Sequence, residues 1–102
     1  MATLKWSLKS AEELESIYGY IAEDSPFYAR VQVEKVIKGV RRLADFPGSG
    51  RTLPEFPHLP YREMIIGSYR CIYRHDSISG IIMIVTIVHG SRLLAVEMLA
   101  DT

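Results

Sequence analysis

Apolar and polar residues alternate close to the start of the chain. Leu4, Trp6 and Leu8 are each separated by a polar residue, and this two-residue period is typical of a strand with one buried face. The sequence therefore predicts a short first strand over residues 4–8.

A helical period replaces the alternation from Ser10 onward. Ser10 and Glu13 have the spacing of a capping box, in which the two residues satisfy each other's backbone amides at a helix start. Apolar side chains then recur at helical spacing as far as Asp24. They are Ala11, Leu14, Ile17, Tyr18 and Ile21. We predict an amphipathic helix with an acidic outer face.

A second helix is predicted directly after the first. Ser25 is a favourable N-cap and Pro26 is tolerated in the first turn of a helix. The apolar stripe of this helix consists of Val33, Val36, Ile37, Val40 and Leu43. Because the connection is short, we expect the two helices to form an antiparallel hairpin.

A proline-rich segment separates the helices from the rest of the chain. Residues 46–60 contain four prolines and two glycines in fifteen residues, a composition that fits neither a helix nor a central strand. We predict an extended loop. Three strands follow over 61–66, 69–75 and 81–88, with a turn at 67–68 and another over 76–80.

The order of these elements predicts the fold class. One strand, a helical hairpin and a three-stranded antiparallel meander make up the chain. The apolar stripes of the helices need an apolar sheet face to pack against, so we predict an α+β fold with one sheet and the helices on it. A length of 102 residues suits a single domain.

The composition limits the classes of function. Twelve basic residues balance twelve acidic ones, whereas proteins that clamp a phosphate backbone usually carry a basic excess. Cys71 is the single cysteine, so neither an internal disulfide nor a multi-cysteine zinc site is expected. His58 and His75 have no partner at metal-ligand spacing, and we expect no metal and no cofactor. With no signal peptide and no long apolar run, we expect a cytoplasmic protein away from membranes.

Five stretches of the sequence together resemble the RelE/ParE superfamily, the toxins of bacterial and archaeal type II toxin–antitoxin modules. They are the Trp6 strand, the helix over 12–21, the Pro-Gly-x-Gly-Arg loop at 46–51, the Tyr-Arg-x-x-Tyr strand at 69–74 and the His-x-x-Arg segment at 88–92. They occur in the family's order across nearly the whole chain. The resemblance implies a growth inhibitor that a cognate antitoxin neutralises.

Two different activities are implied by this resemblance. RelE-like members are ribosome-dependent endonucleases that cut messenger RNA without a metal. ParE-like members bind DNA gyrase and block it, with no chemistry of their own. The first is an enzyme and the second is an interaction protein. A relative without activity is a third alternative.

The nuclease alternative would use five residues. Attack by a 2′-hydroxyl needs a general base, a cationic clamp on the developing phosphorane charge and an acid for the leaving 5′-oxygen. Glu55 or His89 would be the base. Arg70 and Arg62 would form the clamp. His89 or Arg92 would lie near the leaving oxygen.

The resemblance supports three of these residues directly. Arg70 matches the arginine that RelE-like enzymes carry on this strand, and Glu55 and His89 fall where some nucleolytic relatives carry a Glu and a His. Each candidate also has a structural interpretation. Glu55 can be a solvated loop carboxylate, His89 can bond its own turn, and Arg62 can be an exposed sheet charge.

Strand parity tests the proposed clamp. If residues 67–68 form a two-residue turn, Ile66 pairs with Tyr69, and Arg62 then faces the opposite side of the sheet from Arg70. A three-residue turn or a bulge would bring both arginines to one face. The sequence is compatible with both arrangements.

Two absences favour the ParE-like activity. The chain has no lysine after Lys38 and no tyrosine after Tyr73, whereas RelE-like enzymes often add a lysine pair and a C-terminal tyrosine. The helical hairpin and the Phe-Pro-x-x-Gly loop also resemble ParE more closely. We therefore expect DNA gyrase as the target, with ribosome-dependent cleavage of messenger RNA as the alternative.

An antitoxin partner is implied by either activity. We expect it to bind as a helix or a strand at an exposed sheet edge and in the groove beside the helical hairpin, giving a hetero-oligomer. The apolar residues near the C-terminus pack either on the domain or on this partner. They are Leu93, Leu94, Val96, Met98 and Leu99.

Overall fold

A computed structural model describes residues 2–100 of the chain. Its strands are β1 (Thr3–Trp6), β2 (Arg51–Thr52), β3 (Arg62–Ile66), β4 (Tyr69–Asp76) and β5 (Ile81–His89). Its helices are α1 (Leu8–Ala22) and α2 (Pro26–Arg41), with 3₁₀ turns at Arg42–Ala44 and Val96–Leu99. Within the described part of the chain, no helix is long and apolar enough to cross a membrane.

The strands form one mixed sheet in the spatial order β1-β5-β4-β3-β2. The predicted meander of β3, β4 and β5 is antiparallel, while β1 lies parallel to β5. The predicted α+β fold is confirmed. The proline-rich loop differs from its prediction only in the two-residue strand β2, which pairs with the start of β3.

The first helix begins before its predicted start. Ser7 is the N-cap, and its side chain accepts a hydrogen bond from the amide of Ser10. The strand therefore ends at Trp6, and Leu8 is an exposed helical residue. The capping box predicted for Ser10 and Glu13 is wrong, because both side chains bond to β5 instead.

Strand β5 contains a bulge that α1 stabilises. Its register with β4 shifts between Ile72 and Tyr73, which leaves Val85 as an extra residue. A bulge interrupts the ladder and leaves backbone groups in need of other partners. Ser7 Oγ donates to the carbonyl oxygen of Val85 at 2.9 Å. The start of α1 is thereby attached to the middle of strand β5.

Two further polar residues of α1 continue this attachment. Ser10 Oγ donates to the carbonyl oxygen of Ile84 at 3.1 Å. The Glu13 carboxylate accepts from Thr86 Oγ1 at 2.8 Å and from the amide of Ile87 at 3.1 Å. These bonds provide hydrogen-bond partners for groups of β5 at and beyond the position where β1 ends.

The second helix begins as predicted, with Ser25 accepting a hydrogen bond from the Tyr28 amide and Pro26 as its first residue. Its predicted apolar stripe is buried or half-buried throughout. The stripe of α1 is less well covered, because Ala11 and Tyr18 are exposed. The helical hairpin therefore leaves apolar surface open to solvent.

The turn between β3 and β4 has two residues, since Ile66 is the register partner of Tyr69. Its glycine has φ +59°, a backbone conformation that glycine adopts readily. Alternation along the two strands then places Arg62 and Arg70 on opposite faces of the sheet. The two arginines do not form a joint clamp.

The sheet carries an apolar core on each face. The face under the helices buries Val36, Val40, Leu43, Ile66, Cys71, Tyr73, Ile82, Ile84 and Ile87. The other face is covered by the proline-rich loop and the C-terminal segment, and it buries Leu53, Ile72, Val85, Val88, Leu94 and Leu99. Burial raises the pKa of Cys71 to about 12, which fits a core residue and not a reactive thiol.

Three of the five apolar residues near the C-terminus, Leu94, Met98 and Leu99, pack on the domain, whereas Val96 is exposed. Leu94 and Leu99 are buried, while Leu93 is 82% exposed. The carbonyl oxygens of Met98 and Leu99 accept hydrogen bonds from Lys9 Nζ and from the Tyr61 hydroxyl. The segment is therefore fixed by both apolar packing and polar contacts.

Candidate functional site

Arg70 lies at the centre of a buried ion-pair network. It is 5% exposed on β4. Its Nε donates to Glu63 Oε1 at 2.6 Å, and its Nη1 and Nη2 donate to the two oxygens of Glu55, each at 2.7 Å. Nη1 also donates to the carbonyl oxygen of Arg92 at 3.0 Å. All three guanidinium nitrogens are therefore bound within the protein.

The two carboxylates of this network have further partners. Glu63 Oε2 accepts from Arg51 Nε at 2.6 Å, and the Glu63 side chain is 0% exposed. Glu55 Oε2 accepts from the amide of Leu94 at 2.9 Å. Two acidic groups are thus balanced by two guanidinium groups, which is the condition under which buried charges are tolerated.

The pairing also determines the protonation state of Glu55. Hydrogen bonds from Arg70 lower the pKa of Glu55 to about 2 against the opposing effect of burial, and the Leu94 amide contributes to the shift. The same contacts raise the pKa of Arg70. A carboxylate with so low a pKa is a weak general base at neutral pH. Glu55 is therefore held as an anion in the ion pair with Arg70.

Arg62 holds a different part of the molecule. Its Nη1 donates to the carbonyl oxygen of Gly50 at 2.8 Å. The Tyr73 hydroxyl accepts from the Gly50 amide at 3.0 Å and donates to the Pro47 carbonyl oxygen at 2.7 Å. The loop at 46–51 is therefore fastened to β3 and β4 by these two side chains.

His89 and Arg92 line an open groove beside α1, which we call the α1 groove. It has a volume of about 520 Å³. Its walls come from α1 and from the ends of β4 and β5, and they include Lys9, Glu12, Glu13, Ile17, Tyr20 and Tyr69. The groove mixes charged and aromatic groups, and it is large enough for a peptide segment.

His89 is held by its neighbours in this groove. Its Nδ1 lies 2.7 Å from Ser91 Oγ and accepts from the Ser91 amide at 3.1 Å. Since an amide can only donate, the proton of the neutral ring belongs on Nε2. The Tyr69 ring meets the imidazole edge-on, with centroids 5.9 Å apart.

Aromatic side chains gather where the α1 groove meets the helical hairpin. Burial raises the pKa of Tyr69, and the neighbouring Tyr28 and Tyr20 raise it further. Tyr20, Phe27 and Tyr28 are 77%, 67% and 53% exposed. We call these three residues the hairpin tip. Exposed aromatic surface of this kind is typical of protein interaction sites.

The five predicted site residues therefore separate into three locations. Arg70, Glu55 and the Arg92 backbone meet in the buried network, and His89 and Arg92 line the α1 groove. Arg62 lies on the face of the sheet opposite Arg70, where it binds the Gly50 carbonyl oxygen. Within residues 2–100, no group of three or more His, Cys, Asp or Glu side chains could hold a metal ion.

Two features were missed from the sequence. Glu63 was not among the candidates, although with a two-residue turn the alternation places it on the same face as Arg70. The hairpin tip was also missed, because its three aromatic residues belong to neither of the predicted apolar stripes of the two helices.

Comparison with known proteins identifies the family. The family model described as the ParE toxin of the type II toxin–antitoxin system parDE matches residues 4–94. The chain belongs to the ParE toxin family. This confirms the resemblance to the RelE/ParE superfamily, and the chain is a ParE-family toxin of the type II class.

Individual relatives agree with this assignment. The Sinorhizobium fredii protein Y4kP, which carries a provisional toxin name, is 31% identical over an aligned length of 70 residues, covering 58% of this chain and 73% of Y4kP. A chain from the chromosomal ParDE system of P. aeruginosa is 25% identical with a TM-score of 0.69, covering 87% of this chain and 96% of that chain.

A more distant structure shares the fold. A chain from the RelBE2 toxin–antitoxin complex of Mycobacterium tuberculosis is 18% identical with a TM-score of 0.65, and the match covers 86% of this ParE-family chain and 96% of that chain. At this identity the likeness concerns the fold alone.

Proposed function

We propose that this ParE-family toxin inhibits growth by binding DNA gyrase, that it does not cleave messenger RNA, and that a cognate antitoxin neutralises it. The observation that carries the proposal is the buried network around Arg70. A phosphate clamp needs guanidinium donors that point at the substrate. The donors of Arg70 already point at Glu63, Glu55 and the Arg92 carbonyl.

The two candidate bases support the same conclusion. Glu55 would have to leave both Arg70 and the Leu94 amide before its oxygens could accept a substrate proton. In His89 the Nδ1 lone pair is directed at Ser91. Efficient general-base catalysis needs a free lone pair on a group whose pKa lies near the working pH. These contacts favour binding over catalysis.

A surface suited to protein binding is present at the hairpin tip and the adjoining α1 groove. Aromatic residues are enriched in protein interfaces, and tyrosine is among those that contribute most to the binding energy. Tyr20 and Phe27 are more than half exposed. We propose that the antitoxin covers this surface and so competes with the target for it. The similar structure from P. aeruginosa is of a ParDE toxin–antitoxin system, which supports an antitoxin partner.

The proposal is tested by a short pulse of expression without the antitoxin. Primer extension on cellular transcripts and a reporter of the SOS response are measured in the same culture. Gyrase inhibition predicts an SOS response with intact transcripts. Cleaved transcripts without an SOS response would support the messenger RNA endonuclease instead, and unaffected growth would contradict both.

Variants of the hairpin tip locate the binding surface. Tyr20→Ala and Phe27→Ala should abolish the growth arrest while the purified proteins keep their helical content. Ile78→Ala is the matched control, because Ile78 is a 98% exposed apolar residue in the turn between β4 and β5. A control that loses toxicity together with the tip variants would argue against a role for the tip.

A further inference from the structure

A second groove lies at the opposite edge of the sheet from the α1 groove. It has a volume of about 570 Å³ and is formed by α2, the 3₁₀ turn after it and the end of β3; we call it the β3 groove. We propose that it binds an acidic, extended segment of a protein partner, which pairs with the open edge of β3. The proposal concerns a different surface from the hairpin tip and does not depend on gyrase as the target.

One wall of the β3 groove is cationic. Lys35, Lys38 and Arg42 line it, and their spacing places them along one side of the helix and its continuation. All three are exposed, and none forms an ion pair with a carboxylate in residues 2–100. The acidic residues closest in sequence, Glu34 and Asp45, do not line the groove. The local field therefore favours an anionic occupant.

Apolar surface flanks the cations at this edge of the sheet. Ile66 lies on the face covered by α2 and packs so closely on Gly39 that a Cβ there would lie 2.5 Å from the Ile66 Cδ1 atom. Ile65 is 52% exposed and, by alternation, lies on the opposite face together with Arg70. The side chains of an added strand also alternate between the two faces, so its acidic residues would meet the cations and its apolar residues would meet Ile65, whereas a sugar-phosphate backbone gains little from apolar contact. This arrangement points to a peptide with alternating acidic and apolar residues in preference to a nucleic acid.

The edge of β3 supplies backbone partners. Strand β2 covers β3 only at Arg62 and Glu63. Residues that flank a two-residue turn bond to each other, so Ile66 faces β4, and alternation directs the N–H and C=O of Ile65 away from β4. An added strand would bond to Ile65 and continue the line of β2 along the sheet edge.

The test is an NMR titration of the isotope-labelled full chain, which detects weak binding at residue level. The probe is a synthetic peptide that alternates glutamate and valine, and its counterpart carries lysine in place of glutamate. The acidic peptide should shift the amide signals of Lys35, Lys38, Ile65 and Gly67 saturably. The lysine peptide should bind at least about tenfold more weakly.

Matched variants separate a specific site from general attraction. Lys38→Glu should weaken binding of the acidic peptide by about tenfold, whereas Lys5→Glu, the same charge change on β1, should have a much smaller effect. A peptide N-methylated at every residue has no backbone N–H to donate on either side of the strand, so it cannot pair normally with the edge and should also lose affinity.

Three results would overturn the proposal. The first is the absence of saturable signal shifts up to about 1 mM peptide. The second is that the N-methylated peptide binds as well as the unmodified one. The third is that a duplex DNA oligonucleotide shifts the signals of the same amides at a lower concentration than the peptide does. In that case the β3 groove is a nucleic-acid contact.

Discussion

Glu55 and Arg70 form a bidentate ion pair in which both oxygen–nitrogen distances are 2.7 Å. The pair joins the proline-rich loop to the central strand β4. Since Glu55 also accepts from the Leu94 amide and Arg70 donates to the Arg92 carbonyl oxygen, it fixes the C-terminal segment as well. The two residues that a nuclease would use for chemistry hold three parts of this fold together.

Arg70→Ala should reduce the free energy of unfolding by about 3–5 kcal/mol, because it leaves the buried carboxylate of Glu63 with the exposed Arg51 as its remaining ion-pair partner. Urea denaturation followed by circular dichroism measures the loss. Arg92→Ala is the control, since the Arg92 side chain is exposed and its removal should change stability by at most about 0.5 kcal/mol. Equal stability of the two variants would contradict the structural role of Arg70.

The pH dependence of stability should identify Glu55. Its pKa is lowered from 4.5 to about 2 in the folded chain, chiefly by Arg70, so folding favours the ionised form. This stabilisation is fully present above the unfolded pKa and is lost as the pH falls from 4.5 through about 2. Glu55→Gln lacks the titrating group.

The difference in unfolding free energy between the wild type and Glu55→Gln should therefore be largest near neutral pH and shrink in acid. Urea unfolding at a series of pH values measures it. A difference that stays constant down to about pH 2 would show that the carboxylate is not held by its charge.

Gly50→Ala should destabilise the chain by about 1–3 kcal/mol. The added Cβ would lie 2.5 Å from the Tyr73 hydroxyl and 2.7 Å from the Glu63 carbonyl oxygen, so the loop would have to move away from β3 and β4. Gly48→Ala has no atom within 4 Å of its Cβ and should be neutral or slightly stabilising. Thermal unfolding of both variants is the measurement, and similar losses would argue against the close contact.

Glu13→Ala should cost about 1–3 kcal/mol, because it removes the acceptor for the Thr86 hydroxyl and the Ile87 amide at the edge of β5. Glu15→Ala, on an exposed face of the same helix, is the comparison and should have little effect. Hydrogen exchange at the Ile87 amide should accelerate in Glu13→Ala alone. An unchanged exchange rate would mean that another group protects this amide.

Much of the fold follows from local patterns. The period of the apolar residues located the helices and the meander, and Ser25 with Pro26 marked the start of α2 correctly. The start of α1 was misplaced because Ser7 and Ser10 are equally suitable caps in sequence. The position of the cap depends on the β5 bulge, where the carbonyl oxygens of Val85 and Ile84 accept hydrogen bonds from the hydroxyl groups of Ser7 and Ser10. That contact spans most of the chain and has no local signal.

The candidate site was predicted less completely. The parity argument correctly separated Arg62 from Arg70 once the turn length was known. The pairing of Arg70 with Glu55 depends on how the proline-rich loop folds back over the sheet, and no periodicity describes that path. For the same reason, residues that looked like separate catalytic groups in the sequence are bonded to one another in the fold.

The measurement that tests the central claim most directly is a supercoiling assay with purified DNA gyrase, titrated with the purified chain. We predict that supercoiling is inhibited as the chain is added, while messenger RNA on translating ribosomes stays intact in a parallel reaction. Normal supercoiling together with ribosome-dependent cleavage would contradict the account and would return Arg70 and Glu55 to the position of catalytic candidates.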